Sequence, residues 1–234
     1  GVKACVVVTT DKVYANNEWA WPYRENEPLG GHDPYSSSKA CCELVAQSFA
    51  VSYFPVARYA EHGLAMATAR AGNVLGGGDF APDRLVPDVL AAWSRGEPVT
   101  LRYPQAVRPW QHALEPLAGY LQLAQGLYEQ GPAVAGTWNF GPADSDTCNV
   151  GEVVARLAAR WPQALGLQIE PSELHEAGLL RLDSSRARQL LAWQPRWALD
   201  DCLQQTLDWH LAWRRGEDMR AVTLAQLATY WGQA

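Results

Sequence analysis

Lys3-Ala4-Cys5-Val6-Val7-Val8-Thr9-Thr10 is the stretch that decides the fold. A β-branched run without polar alternation predicts a strand buried on both faces, as in a parallel sheet covered by helices. Outward from it, a loop rich in Asn, Trp, Pro and Gly leads to Pro34. Residues 35–54 then read as a helix. Ala40, Leu44, Val45, Ser48 and Val51 give its inward stripe, and Pro55 lies just beyond. Residues 64–74 form a second apolar strand that runs into Gly76-Gly77-Gly78-Asp79. There the chain must turn tightly or let a ligand approach the backbone. Strand, loop, helix, strand is the order of an α/β doubly wound parallel sheet.

Beyond residue 80 the units shorten. Helices are expected over 84–95, 116–129, 149–160, 183–191 and 199–215, and short strands over 98–102, 108–113 and 137–140. A boundary near residue 80 separates 1–80 from 81–234, with 107–130 returning to the first domain. The formal net charge of −6 and the lack of a long basic run exclude a nucleic-acid binder. No stretch approaches a membrane span, and Gly1-Val2-Lys3-Ala4-Cys5 has no signal-peptide layout. Cys5, Cys41, Cys42, Cys148 and Cys202 have no metal spacing, so no metal site is expected. Their odd number and lack of pattern suggest reduced thiols in the cytoplasm. Most of the eleven Trp are expected in the core.

The chemistry concentrates in Thr9-Thr10-Asp11-Lys12 and Asp33-Pro34-Tyr35-Ser36-Ser37-Ser38-Lys39. Oxidation of a secondary alcohol needs a base for the hydroxyl proton. A free tyrosine titrates near ~10 and is a poor base unless its anion is stabilised. Lys39, one helical turn after Tyr35, supplies a positive charge for that purpose. Asp33 as cap and Pro34 after it place Tyr35 at a helix N-terminus, whose dipole also favours an anion. Thr10 is placed to hydrogen-bond a substrate hydroxyl. Asp11 and Lys12 put a carboxylate and an amine at the sheet's carboxyl edge, where α/β sites lie. Asp11 suits a general acid, and Lys12 suits proton abstraction or charge stabilisation.

With these motifs the chain resembles the extended short-chain dehydrogenase/reductases, and within them the nucleotide-sugar 4,6-dehydratases. The resemblance runs nearly end to end. It includes Tyr23-Arg24-Glu25-Asn26-Glu27, Leu29-Gly30-Gly31, Arg70-Ala71-Gly72-Asn73-Val74, Asp83-Arg84-Leu85-Val86-Pro87-Asp88, Arg108-Pro109-Trp110-Gln111-His112, Trp138-Asn139-Phe140-Gly141-Pro142 and His175-Glu176-Ala177. Dehydratases of dTDP-glucose and GDP-mannose typically carry Asp-Glu after the Thr. Asp11-Lys12 is similar to the CDP-glucose branch.

The resemblance implies a Rossmann-like NAD-binding domain, represented by residues 1–80, and a nucleotide-sugar-binding domain over 81–234. It implies three steps with NAD as cofactor and CDP-glucose as substrate: oxidation at carbon 4, loss of water across carbons 5 and 6, and hydride return to carbon 6. Tyr35 would be the first base, Asp11 the acid, and Lys12 would occupy the place of the usual Glu. Tyr35 and Lys39 would also bond the nicotinamide ribose. Asn73, Arg84, Arg108 and Asn139 would bind the nucleotide sugar. Arg84 and Arg108 suit phosphate because a guanidinium is planar and permanently charged. His112 and His175 could be packed residues, and Trp110 could stack on a ligand or sit in the core. Family members resembling this chain pair as homodimers through the helix that carries Tyr35 and Lys39.

The family's G-x-x-G-x-x-G, which cradles the cofactor pyrophosphate at a helix N-terminus, does not occur in the sequence. The expectation is therefore the C-terminal part of such an enzyme, with one apolar sheet edge unpaired. Two other readings remain. One is a different nucleotide-sugar dehydratase or epimerase of the same family, although epimerases usually lack the Asp-Lys or Asp-Glu dyad. The other is a non-catalytic fragment.

Overall fold

A computed structural model describes residues 1–162, 166–170 and 178–232. Its strands are β1 (Ala4–Val8), β2 (Ala65–Ala71), β3 (Val74–Leu75), β4 (Val99–Leu101), β5 (Val107–Pro109), β6 (Gln111–His112), β7 (Gly136–Phe140), β8 (Thr147–Asn149) and β9 (Leu167–Ile169). Its helices are α1 (Pro34–Ser52), α2 (Tyr59–His62), α3 (Leu85–Arg95), α4 (Leu114–Gln130), α5 (Val150–Ala158), α6 (Ser185–Leu190), α7 (Leu199–Arg214) and α8 (Met219–Gly232). The chain divides into two units. The first comprises Gly1–Gly72, Glu115–Gly141 and Leu180–Pro195, and the second comprises Asn73–Leu114, Pro142–Leu179 and Arg196–Ala234. The first unit thus leaves off before residue 80 and takes back two later segments. The reason is pairing: β7 joins β2, and α6 packs on β7.

In the first unit the sheet runs β1-β2-β7, all parallel, with β1 at an edge. There β1 is half-buried and Val8 is 50% exposed, rather than covered on both faces as its valine run predicts. Register sets Val6 beside Ala67 and Ala69 beside Trp138. Alternation along β2 sends Ala65, Ala67 and Ala69 to one face, where Leu123 and Leu127 of α4 join Trp138, Phe140, Leu191 and Trp193 in a core. Fully burying each of those leucines contributes about 1.5–3 kcal/mol. Gly119 lets α4 lie close, because a Cβ there would collide with the Phe140 ring. The other face of β2 presents Thr68 and Arg70 to α1.

Helix α1 starts as expected, with Asp33 accepting from the Ser36 amide at 2.9 Å and Pro34 in its first turn. Its buried face differs from the expected stripe. Ser36, Ala40 and Glu43 point inward, while Leu44, Val45 and Val51 are more than half exposed. A buried ion pair, described below, turns the helix so that its apolar side faces out.

In the second unit the pairs are β3-β6 and β4-β9, both parallel, and β5-β8, antiparallel. Asn149 opens α5 with a reciprocal cap: its Oδ1 accepts from the Glu152 amide at 2.8 Å, and its own amide donates to Glu152 Oε2 at 3.1 Å. The Gly76–Gly78 stretch is a tight turn packed on an indole. Gly78 has φ 81°, and a Cβ on Gly77 would collide with Trp209 of α7. Trp93, Trp110, Trp138, Trp161, Trp193 and Trp197 are buried, whereas Trp21, Trp213 and Trp231 are exposed. Helix α8 has no counterpart in the sequence reading.

Candidate active site

Strand β1 delivers Thr9 and Thr10 to its carboxyl end. The Thr9 amide still donates to Ala69 O at 2.8 Å, so the ladder holds up to that point. The chain then enters a short 3-10 turn, Asp11–Val13, capped by Thr10. Thr10 Oγ1 accepts from the Lys12 amide at 3.4 Å and lies 3.0 Å from Asp11 Oδ1 as donor. Thr10 and Asp11 are buried, and Lys12 is exposed. Helix α1 packs against this turn, with Ala40 in one apolar cluster with Val13, Tyr14 and Tyr23.

The N-terminus of α1 is tied down firmly. Ser36 Oγ donates to Asp33 Oδ2 at 2.5 Å. That hydroxyl first, and then the Ser36 amide, hold the Asp33 carboxyl below the usual carboxylate range, with Lys12 adding a weaker pull. Gly31 is required on steric grounds, since a Cβ there would collide with Ser36. Tyr35 is 52% exposed, and the Lys39 ammonium stands 6.0 Å from its ring centroid. Thr10, Asp11, Lys12, Tyr35 and Lys39 therefore come from one unit: a strand end, the turn after it, and the helix packed on that turn.

Beneath them lies a buried polar network absent from the sequence reading. The Glu43 carboxylate accepts from Thr9 Oγ1 (2.5 Å), Thr68 Oγ1 (2.7 Å), Arg70 Nε (2.8 Å) and Arg70 Nη2 (3.0 Å). Both side chains of the ion pair are 3% exposed. Burial pushes the Glu43 carboxyl up, but the Arg70 and Thr9 hydrogen bonds outweigh it and hold the group below its ordinary range. The Arg70 guanidinium also lies 4.8 Å from the Tyr14 ring centroid and donates to Glu25 O at 3.2 Å. Burial pushes the Tyr14 phenol up to about 12, so it stays a hydrogen-bond donor, 2.8 Å from Asn139 Oδ1. Burial, with the Asp11 charge as second cause, raises Tyr120 too. One sequence signal could have found Glu43: it continues the four-residue step of Tyr35 and Lys39 along α1.

The residues expected at the nucleotide sugar are not all of one kind. Asn139 is fully buried. It accepts from Tyr14 and donates both amide protons, to Tyr23 O at 2.9 Å and Asp183 O at 3.2 Å. These bonds engage its side-chain amide with the protein's own groups. The other three belong to the second unit. Asn73 is half-buried and accepts from the Gln111 amide through its carbonyl. The Arg84 side chain is 60% exposed, 3.9 Å from Asp79. Arg108 is buried and donates to Val107 O at 2.9 Å. Trp110 is a core residue whose indole donates to Cys148 O at 3.2 Å. His112 is buried, accepts from the Leu114 amide through Nδ1, and is pushed down to about 4 by burial. His175 lies outside the described residues. Among the described residues no cluster of three or more His, Cys, Asp or Glu could hold a metal ion.

The chain is similar to known proteins. A family model described as the NAD dependent epimerase/dehydratase family matches residues 1–132, more than half of the chain. A CDP-glucose 4,6-dehydratase of Salmonella typhimurium is 48% identical over 230 residues, which cover 98% of this chain and 64% of that protein. A dTDP-glucose 4,6-dehydratase of Streptomyces griseus is 29% identical, over 91% of this chain and 61% of its own length. The chain thus spans less than two thirds of these relatives. Among solved structures, a UDP-glucose-4-epimerase from Stenotrophomonas maltophila with bound NAD and formylated UDP-arabinopyranose superposes with a TM-score of 0.79 at 21% identity, covering 92% of this chain and 66% of that one. A dTDP-glucose 4,6-dehydratase from Streptomyces venezuelae with NAD and TYD bound gives 0.74 at 22% identity, covering 92% and 62%. The two structures establish the fold, a Rossmann-type α/β architecture. With a strand end, turn and helix that bring Thr10, Asp11, Lys12, Tyr35 and Lys39 into one unit and more than half of its length matched by the family model, this chain belongs to the NAD dependent epimerase/dehydratase family.

Proposed function

We propose that the protein carrying this chain is an NAD-dependent CDP-glucose 4,6-dehydratase, converting CDP-glucose to CDP-4-keto-6-deoxyglucose. One observation carries the reading. Asp11 and Lys12 follow Thr10 at the end of β1, on the turn against which the Tyr35–Lys39 helix packs. An epimerase needs the tyrosine and lysine alone, whereas a dehydratase also needs an acid for the departing hydroxide. The 48% identity to a CDP-glucose 4,6-dehydratase supports the choice of nucleotide.

Tyr35 and Lys39 fit a nicotinamide ribose, because an exposed hydroxyl and an ammonium at a helix start are the donors its hydroxyls can use. When bound, NAD supplies the hydride acceptor and later the donor. Tyr35 takes the proton from the carbon-4 hydroxyl, and the Lys39 charge stabilises the phenolate. Thr10 hydrogen-bonds the sugar and orients Asp11 through the 3.0 Å bond. The carbon-4 ketone acidifies the proton on carbon 5, and Lys12 assists its removal. Asp11 protonates the hydroxyl leaving carbon 6. Arg84 and Arg108 serve the diphosphate, with Asn73 near the nucleoside, while Asn139 organises the site from beneath. The exposed apolar side of α1 supports a homodimer paired through that helix. Five unbridged cysteines, two of them exposed, fit a reducing cytoplasm.

The test is turnover. CDP-glucose labelled with deuterium at carbon 4 is incubated with the purified protein and NAD⁺ and followed by mass spectrometry and NMR. The expected product is lighter by one water and carries the label on carbon 6. Faster conversion of dTDP- or UDP-glucose would reassign the substrate, and a product of unchanged mass would reassign the reaction.

A further inference from the structure

Tyr35, Lys39 and Glu43 are spaced four residues apart, so they stack along one side of α1. A glutamate four residues from a lysine on a helix is an ordinary ion-pair partner. Here the pairing is not made. The Glu43 carboxylate is saturated by four donors from the sheet side: Thr9, Thr68 and two nitrogens of Arg70. The Lys39 ammonium is left over the Tyr35 ring, 6.0 Å from its centroid.

We propose that Arg70 is a positioning residue: it holds the Glu43 carboxylate on the sheet and so keeps it from taking the Lys39 ammonium away from Tyr35. The carboxylate has a use of its own. By accepting from Thr9 and Thr68 it also links α1 to the residue after β1 and to the middle of β2. A lone carboxylate at that position would anchor the helix but compete for the catalytic lysine. A guanidinium on β2 removes the competition while adding two hydrogen bonds of its own. The inference rests on the reading that Tyr35 and Lys39 act together on substrate.

The variants Arg70→Gln, Arg70→Lys and Glu43→Gln/Arg70→Gln test it, each first checked for a cooperative thermal melt. Side-chain NMR of lysine-labelled protein, with the Lys39 signal assigned by its loss in Lys39→Arg, reports on Lys39 without any turnover. In Arg70→Gln the Lys39 ε-carbon resonance should move more than those of Lys3 and Lys12. It should return toward its original position in the double variant. In parallel, kcat with CDP-glucose should fall roughly tenfold or more in Arg70→Gln, with KM within about threefold, because a protonation partner is lost rather than binding. Arg70→Lys and the double variant should regain most of that loss. A purely structural pair predicts the opposite order, with the double variant no faster than the single one. That result, or an unmoved Lys39 resonance, overturns the proposal. If Arg70→Gln does not fold, the double variant decides alone: a kcat within about fivefold of the parent upholds the proposal, and a loss beyond that overturns it. Failure of the underlying reading looks different. In that case Tyr35→Phe keeps its activity while the lysine resonances still behave as described.

Discussion

The Tyr14 hydroxyl donates to Asn139 Oδ1 at 2.8 Å across 125 positions of sequence, with both residues buried. This bond ties the residue after the β1 turn to the carboxyl-terminal part of β7. Tyr14→Phe leaves the Asn139 oxygen without its donor, and the expected cost is about 1–3 kcal/mol, the usual penalty for a stranded buried acceptor. Urea denaturation measures it. Asn139→Ala should likewise lower stability and leave KM for the nucleotide sugar nearly unchanged. A selective rise in KM at unchanged stability would return Asn139 to the substrate.

Tyr35 and Asp11 should separate the steps of the reaction. Tyr35→Phe should abolish the first oxidation, by about 100-fold or more. Asp11→Asn should slow elimination more than oxidation. Rapid-mixing measurements of NADH absorbance against loss of water resolve the two, and an equal loss in both removes Asp11 as the acid.

His112 should leave a signature in the pH dependence of stability. Burial holds it neutral down to about pH 4, against about 6.5 in the unfolded chain. The unfolded state therefore binds the proton first. The stabilisation is complete above pH 6.5 and is lost as pH falls toward 4, a swing of about 3 kcal/mol. His112→Gln should shrink the fall in unfolding free energy between pH 7 and 4 by up to that amount. An unchanged fall would show that the imidazole is reached by water.

The apolar side of α1 should govern assembly. Leu44, Val45, Phe49, Val51 and Tyr53 are each at least half exposed, an unusual load for one helix. The parent should sediment as a dimer, and Val45→Asp with Phe49→Asp should give a folded monomer. A monomeric parent would reject this face as the interface.

Much of the frame was legible in the sequence because its signals are local. The valine run of β1, the Asp33-Pro34 start of α1 and the Asn149…Glu152 cap of α5 depend on neighbours within a few positions. The same holds for the placement of Thr10-Asp11-Lys12 after β1 and of Tyr35 with Lys39 at the start of α1, although each motif pointed to chemistry only in combination with the other. Reading the inward side of α1 failed for a definite reason. Apolar periodicity assumes that the core is apolar, and at Glu43 the inward group is a charge with its partner on β2. Helix α8 was missed because its outer side mixes Leu224 and Trp231 with polar residues and gives no clear stripe.

The sequence by itself determined the α/β class, the elements that bear the candidate site and the places of Asp11, Tyr35 and Lys39 on them. Tertiary structure alone decided which long-range pairs form in the buried network beneath them. Arg70 reaches Glu43 across 27 positions and Tyr14 reaches Asn139 across 125. Hydrogen bonds and ion pairs of that reach depend on where the sheet brings the strands, and no local pattern in the chain encodes that placement.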